Sequence, residues 1–483
     1  MKKMTSLLLL MAMLASLASC GGEKKSADET TISDDTGASV SSDDPGYVYP
    51  ELDCGGEEFT FLNLEPTWDM YTYLDLGSQT GEIIDDSVYD RNRALEERFG
   101  FRLNVVEFPI DELLTRVQTT VTAGDDTYDA AYIRGSGIAS AVSGGLCKNL
   151  YEIPGLRLDK PWWNQSVVTE ASLGKSGDTL YFVQSDLSLC AFDLVWSIFF
   201  NEDMMTDLGK DMPYDIVRAG KWTIDSFNTM LKWGTNLNGD ESFAFSYDNK
   251  SIYGFTSFYR ICDAMIIGAG NKFTTKDFNG TPVLSLENDR FYTTAEKLAK
   301  IFGTEGDYIE ANQNGVSYDK IFMAGRALFY GGEVKASGKF RDMDDNFGIL
   351  PLPKLDESQE NYCAWMNYDT PTLIVPSTNS NPERTGAILD ALSYLSYKDV
   401  LSAYYKVRVS QKSLRNDDSI EMLGIIRDSL YYDASLTYGW TADLTGAIRT
   451  ALISGDSGVA SIIASKKDAV EKKIAETMKT LEK

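Results

Sequence analysis

The 483 residues contain no histidine. That removes the commonest general base, the commonest zinc ligand and every triad built on an imidazole. An enzyme made from this chain would have to work with carboxylates, lysine, tyrosine or serine. Cysteine is scarce: six in all, with no C-x-x-C pair, which excludes a zinc ribbon or a thioredoxin-like motif. Cys54, Cys147, Cys190, Cys262 and Cys363 form an odd set beyond the first, and small buried thiols are their plain reading. No P-loop, H-E-x-x-H or EF-hand sequence is present, and no metal site or cofactor is expected. The one long apolar run, Leu7 to Leu17, is too short to span ~30 Å of hydrocarbon. Positive charge is in deficit, with 45 Lys and Arg against 72 Asp and Glu and a net charge of -27. Such a surface repels phosphate backbones, so nucleic acid is excluded as a partner. It also lies poorly on anionic lipid, so any membrane attachment has to come from elsewhere.

What is present is enough apolar material, 43% with 12% aromatic, to build two or three domains. Lys2 and Lys3 precede the apolar run, and Leu17-Ala18-Ser19-Cys20 closes it with small residues and a cysteine. Basic, then apolar, then small is the order of a secretory signal. The Leu-Ala-Ser-Cys ending resembles the lipobox of bacterial lipoproteins. That resemblance implies a signal peptide over 1–19, diacylation of Cys20 and attachment to the extracellular face of the cell membrane. An ordinary signal peptide with an incidental Cys20 is the alternative. Residues 20–50 hold Ser, Thr and acids with little that is apolar, and read as a disordered tether.

Beyond the tether the pattern alternates. Phe59 to Leu64 reads as a strand, and Ile84, Val88, Leu95 and Phe99 fall at helical spacing before Gly100. Phe101 to Phe108 is a second strand, Ile110 to Val121 a second helix and Tyr128 to Ile133 a third strand. This alternation predicts a parallel sheet with crossover helices, and ligands then sit beyond the carboxyl ends of its strands. Those ends are the loops Glu65–Tyr71 and Arg134–Ser136. Asp178–Gln184 reads as a hairpin arm and Leu194–Asn201 as a long apolar strand. Tyr253–Ser257, Ala327–Tyr330 and Phe347–Leu352 read as strands of a second α/β lobe. Thr385–Val407 reads as one long helix, and the last hundred residues as helices.

Several stretches, in order along the chain, resemble the family 1 extracellular solute-binding proteins, the maltose-binding-like lipoproteins of bacterial ABC sugar importers. They are the lipobox, Gly81 to Gly100, Ala123 to Asp129, Phe199-Phe200-Asn201, Trp222-Thr223, Phe322 to Phe329 and Phe347 to Pro353. The resemblance implies an α/β, two-lobed periplasmic-binding-protein fold of the class II type, with crossover strands at a hinge and a helical C-terminus. Lobe one would be 51–195 plus 354–420, and lobe two 196–353 plus 421–483. The implied function is capture of a small solute, a sugar or oligosaccharide, by hinge closure and its delivery to ABC permease subunits. The implied receptor is a monomer and performs no chemistry. A surface glycan-binding protein without a transport role, or a glycoside hydrolase using two carboxylates, are the alternatives.

Sugar sites pair aromatic faces with planar polar groups, because a pyranose has an apolar face and a rim of hydroxyls. Placement after the first strand selects Trp68, with Glu65 and Tyr71 on the same loop. Arg134 follows the third strand, where it either clamps a ligand or forms an ion pair. Glu333 follows Gly331-Gly332, glycines that let a backbone approach a ligand or merely make a turn. Asp186 and Trp440 are carried over from the family, at positions where its members contact sugar. Arg260 and Trp365 complete the candidates. Trp162, Trp163, Trp196, Trp222 and Trp233 read as structural.

Overall fold

The computed structural model describes residues 46–243, 248–310, 317–410 and 417–481. The signal peptide, Cys20 and most of the tether lie outside the described residues.

The first α/β layer follows the sequence periodicities closely. Its elements are Glu58–Leu64 (β1), Ile83–Phe99 (α1), Arg102–Phe108 (β2), Leu113–Ala123 (α2) and Ala130–Ile133 (β3). Helix α1 buries Ile84, Val88, Leu95 and Phe99 along one face, and Gly100 ends it in the left-handed conformation at φ 63°. Strand β1 runs parallel to both β2 and β3, as helix-joined strands must.

The second sheet is built from Trp196–Asn201 (β4), Tyr253–Ser257 (β5), Tyr308–Glu310 (β6), Ala327–Glu333 (β7) and Phe347–Leu350 (β8). Its order is β8-β4-β7-β5-β6, with β5 parallel to β6 and β7, and β4 antiparallel to β7 and β8. Thr372–Ile374 (β9) then returns to the first sheet and pairs antiparallel with β3, giving the order β9-β3-β1-β2. The chain therefore passes from the first sheet to the second before Trp196 and comes back after Leu350. The two passes touch where Val195 bridges Met366 and where the Asn367 N–H donates to the Leu194 carbonyl at 3.2 Å.

Four expectations need correction or refinement. Ala327–Tyr330 extends to Glu333, so Gly331 and Gly332 lie inside the strand and make no turn. A Cβ at Gly332 would strike the Tyr330 ring at 2.3 Å, and one at Gly331 would strike Ile261 and Phe255. Asp178–Gln184 forms no hairpin arm; Thr179 bridges Leu173, and Val183 bridges Leu373 of β9. The long helix is continuous but not uniform: a π turn at Ser396–Val400 joins Pro382–Leu395 to Leu401–Ser410. The end of the tether also packs: the Tyr47 ring stacks on Tyr394 at 4.2 Å, and the Arg157 guanidinium sits 4.0 Å from its centroid. Tyr47 and Tyr49, whose rings meet at 4.6 Å, supply apolar area that the rest of the acidic stretch lacks.

The last hundred residues are mainly helical, ending in Val459–Leu481, with a two-residue strand at Leu430–Tyr431. Cys54, Cys147, Cys190 and Cys262 are buried, Cys363 is half-buried, and all five are free thiols. No helix among the described residues is long and apolar enough to cross a membrane.

Candidate functional site

A cavity of about 370 Å³ opens where the loops after β1, β3 and β7 meet the returning segment 367–369. Each loop leaves the carboxyl end of its strand, the position where open α/β sheets bind ligands.

The loop after β1 is anchored at its far end by Thr72, whose buried hydroxyl donates to Asn63 Oδ1 at 3.1 Å. Between these anchors Thr67–Met70 forms a tight turn, closed by the Met70 N–H on the Thr67 carbonyl at 2.8 Å. Its two central residues, Trp68 and Asp69, are both left-handed, at φ 50° and 57°. This is the geometry of a type I′ turn, usually filled by Asn-Gly. A bulky Trp in that conformation costs about 1–2 kcal/mol. Trp68 is 55% exposed, so packing of its ring does not repay that cost. The ring stands at the cavity mouth, with the Arg134 guanidinium 5.2 Å from its centroid.

The same cavity is lined by a cluster of aromatic rings on and beside the second sheet. Tyr318 stacks on Tyr330 at 5.7 Å and on Phe258 at 5.7 Å, and all three rings line the cavity. Burial, followed by the charges of Glu333 and Asp319, pushes the Tyr318 hydroxyl up to about 12. It stays protonated at neutral pH and can donate a hydrogen bond.

A chain of charged hydrogen bonds lines the cavity. Arg134 grips Asp369 through Nε at 3.3 Å and Nη2 at 3.1 Å, and reaches Asp111 at 3.0 Å. Arg260 shares the same Asp369 oxygen at 3.1 Å and meets Asn367 Oδ1 at 3.4 Å. Asn367 Nδ2 donates to Glu333 at 2.7 Å, and Glu333 pairs with Lys335 at 3.2 Å. Lys335 then donates to the Trp68 carbonyl at 2.9 Å. Lys339 pairs with Asp69 at 3.1 Å and Asp319 at 3.5 Å. Burial opposes the charge on Arg134, but the Asp369 hydrogen bond and charge outweigh it and hold its guanidinium above the ordinary value. Gly135 makes the close approach possible. A Cβ there would lie 1.7 Å from the Tyr368 carbonyl oxygen, so only glycine lets Arg134 come up beside segment 367–369.

Of the sequence candidates, the structure brings together Trp68, Arg134, Arg260 and Glu333 around this cavity. The others stand elsewhere. Glu65 and Tyr71 are exposed on the same loop but do not line the cavity. Asp186 is half-buried outside it, and burial, opposed by the charge of Arg427, pushes its carboxyl up to about 6. Trp365 is fully buried, stacked on Trp196 at 5.9 Å. Trp440 is buried in the helical C-terminal part, stacked on Tyr438 at 4.7 Å with its Nε1–H on Thr477 at 2.9 Å. Residue type alone cannot tell a packed indole from a presented one, and the family resemblance that selected Trp440 carried no information about its burial here.

Asn367, Asp369, Lys335, Lys339, Tyr318, Phe258 and Trp196 also line the cavity, and sequence reasoning did not select them as site residues. One signal was available: Lys335 and Lys339, one helical turn apart just beyond β7, stand out in an acidic chain.

No family model and no curated protein matches the sequence. Solved structures do match. One is a cyclo/maltodextrin-binding protein complexed with maltotetraose, at TM-score 0.56 and 12% identity over 88% of this chain and 97% of that one. Another is the galacto-N-biose-/lacto-N-biose I-binding protein of an ABC transporter from Bifidobacterium longum, at TM-score 0.56 and 12% identity over 88% and 98%. A third is an ABC substrate-binding protein from Listeria monocytogenes in complex with cycloalternan, at TM-score 0.53 and 13% identity over 88% and 99%. The chain has the α/β, two-lobed fold of the periplasmic binding proteins. Within that class, its likeness is to the maltose-binding-like proteins of ABC transporters.

Proposed function

We propose that the chain is a lipid-anchored extracellular receptor that captures a neutral sugar or oligosaccharide between two lobes and delivers it to an ABC permease. The observation that carries this reading is the meeting of Trp68, on a loop of the first sheet, and the Phe258–Tyr318–Tyr330 cluster, on and beside the second, at one cavity lined by hydrogen-bonding groups. Two aromatic surfaces accept the apolar faces of a pyranose, while Arg134, Asp369, Asn367 and Glu333 meet its hydroxyls. A buried hydroxyl left unpaired costs about 1–3 kcal/mol, so such a network discriminates between epimers. A cavity of about 370 Å³ falls within the range of small-ligand pockets.

The charges also favour binding over catalysis. Asp369 lies between two guanidiniums, Glu333 is held by Lys335 and Asn367, and Asp319 faces Lys339. Each of these carboxylates is already held by at least one cationic side chain, so the hydrolase alternative is not favoured.

In this reading lobe one comprises 51–195 plus 354–420, and lobe two 196–353 plus 421–483. The passes at Val195 and Met366 serve as the hinge, and a ligand touching both lobes shifts the population toward the closed form. Lipid on Cys20 and the acidic tether keep the monomeric receptor at the outer face of the membrane. The test is a thermal-shift panel of neutral mono- and disaccharides alongside peptides and metal ions. A rise in melting temperature with at least one sugar is expected. A flat response to every sugar, with a rise for a peptide or a metal, refutes the carbohydrate reading.

A further inference from the structure

The Trp68–Asp69 turn has an unusual balance. Both central residues take a left-handed backbone, the Trp68 ring is more than half exposed, and the turn holds itself by its own Thr67–Met70 hydrogen bonds. Its other holds come from across the cavity and from Arg134. Lys335 donates to the Trp68 carbonyl at 2.9 Å, and Lys339 pairs with Asp69 at 3.1 Å. Both lysines sit immediately after β7, in the short helical turns Val334–Ala336 and Ser337–Phe340. Residues at i and i+4 project to the same side, so the two ammonium groups grip successive residues of one turn. Asp69 does not line the cavity, whereas Trp68 and both lysines do.

We infer that Asp69 and Lys339 are positioning residues for ligand capture. Their ion pair clasps the turn to the second sheet and so presents the Trp68 indole over the cavity. This rests on the sugar-receptor reading for its purpose, but not for its geometry. Closure and presentation of Trp68 are then a single event. When the two sheets separate, the lysines withdraw and the turn loses the contacts that offset its strained backbone. When they approach, the turn is fixed and the ring is aimed. The specificity of the site is thereby set partly by a residue that never touches the ligand.

The test is a double-mutant cycle on the full chain with D69N, K339M and the double variant. Asparagine tolerates the left-handed conformation, so D69N removes charge without adding strain. K339R, which keeps the charge, is the rescue control. The first readout needs no ligand: hydrogen exchange of the peptide covering residues 65–73. Each single variant should exchange about two- to fivefold faster, the range set by a partly exposed ion pair. The double variant should be no faster than either single, and K339R should match wild type. The second readout is the affinity for maltose, lactose and cellobiose, whose losses should follow the same cycle for any probe that binds.

Effects of D69N and K339M that simply multiply, or exchange unchanged by either, would overturn the inference. Multiplying affinity losses would instead make Lys339 a direct ligand contact with no part in positioning. If none of the sugars binds wild type, the receptor reading fails for those sugars, while the exchange cycle still decides the clasp.

Discussion

Replacing Asp369 with asparagine removes one charge from the point where three parts of the chain meet. Arg134 arrives from the loop after β3, Arg260 from the start of the helix Ile261–Gly268, and Asp369 from the returning segment. The carboxylate accepts three hydrogen bonds from guanidinium groups, at 3.1, 3.1 and 3.3 Å. Bonds to charged groups contribute roughly 1.5–3 kcal/mol each, and asparagine keeps one acceptor oxygen, so about half of the total is lost. The Arg134 side chain is 31% exposed, and solvent screening lowers its share further. The net expectation is a loss of about 2–3 kcal/mol. For a cooperative unit of this size, roughly 1 °C accompanies each kcal/mol, so the melting temperature of ligand-free protein should fall by about 2–3 °C. The asparagine variant also leaves two guanidiniums facing each other with less compensation. Added sulfate should therefore recover more stability in the variant than in wild type. A melting temperature within about 0.5 °C of wild type, with no differential effect of sulfate, would refute the claim that Asp369 joins the two sides of the cavity.

Trp68→Ala should weaken binding of any sugar found in the panel by about tenfold or more while leaving the melting temperature nearly unchanged, because the ring is largely exposed; titration calorimetry and thermal denaturation check the two halves. Asp390→Leu strips the acceptor from two buried indole N–H groups, Trp162 and Trp163 at 2.9 Å each, and from Arg157. The expected loss is about 4–5 kcal/mol, read as a fall in melting temperature of about 4 °C. Acidification supplies the last prediction. Burial holds Asp186 and Asp433 at about 6 in the folded protein, above the unfolded value of 3.8, against the opposing Arg427 charge and the hydrogen bonds from Ser435 and Phe273 respectively. Between those values the folded state binds more protons than the unfolded state, so these two groups destabilise the fold as pH rises from about 4 to about 6. Lowering the pH from 7 to 5 should therefore raise their contribution to stability, and D186N should remove part of that slope in pH-dependent denaturation.

The first α/β layer was legible because each element carries its own signal. In α1 the buried positions repeat at helical spacing and Gly100 supplies the stop, and the strands on either side are apolar. The placement of Trp68 and Arg134 beside one cavity was legible for a related reason, since the alternation fixes which ends of the parallel strands their loops leave. The hairpin Thr274–Lys276 with Pro282–Leu284 was not legible, because three-residue strands are too short to show a period. Asn367 and Asp369 escaped because their importance comes from what the fold lays against them. Only the approach of Gly135 to the Tyr368 carbonyl brings Arg134 within reach of Asp369. Trp440 and Trp365 show the converse. Their residue type suits a sugar, but burial and the Thr477 hydrogen bond occupy the first, and stacking on Trp196 occupies the second.

An acidic protein that gathers Arg134, Arg260, Lys335 and Lys339 in one cavity invites the idea of an anionic ligand. The partners argue otherwise. Each cation already holds a carboxylate: Asp369 and Asp111 for Arg134, Asp369 for Arg260, Glu333 for Lys335, and Asp69 with Asp319 for Lys339. An incoming carboxylate or phosphate would have to compete with these fixed charges and would face their repulsion at close range. A neutral hydroxyl-rich ring meets no such barrier. It can accept from a guanidinium and donate to a carboxylate without breaking either pair, because each group keeps unused donors or lone pairs. In the proposed reading the ion pairs are the preorganised lining of a neutral site, and neutral sugar binding should change less than about twofold between low and physiological salt. A steep loss of affinity with salt would mean that the cavity recognises charge after all.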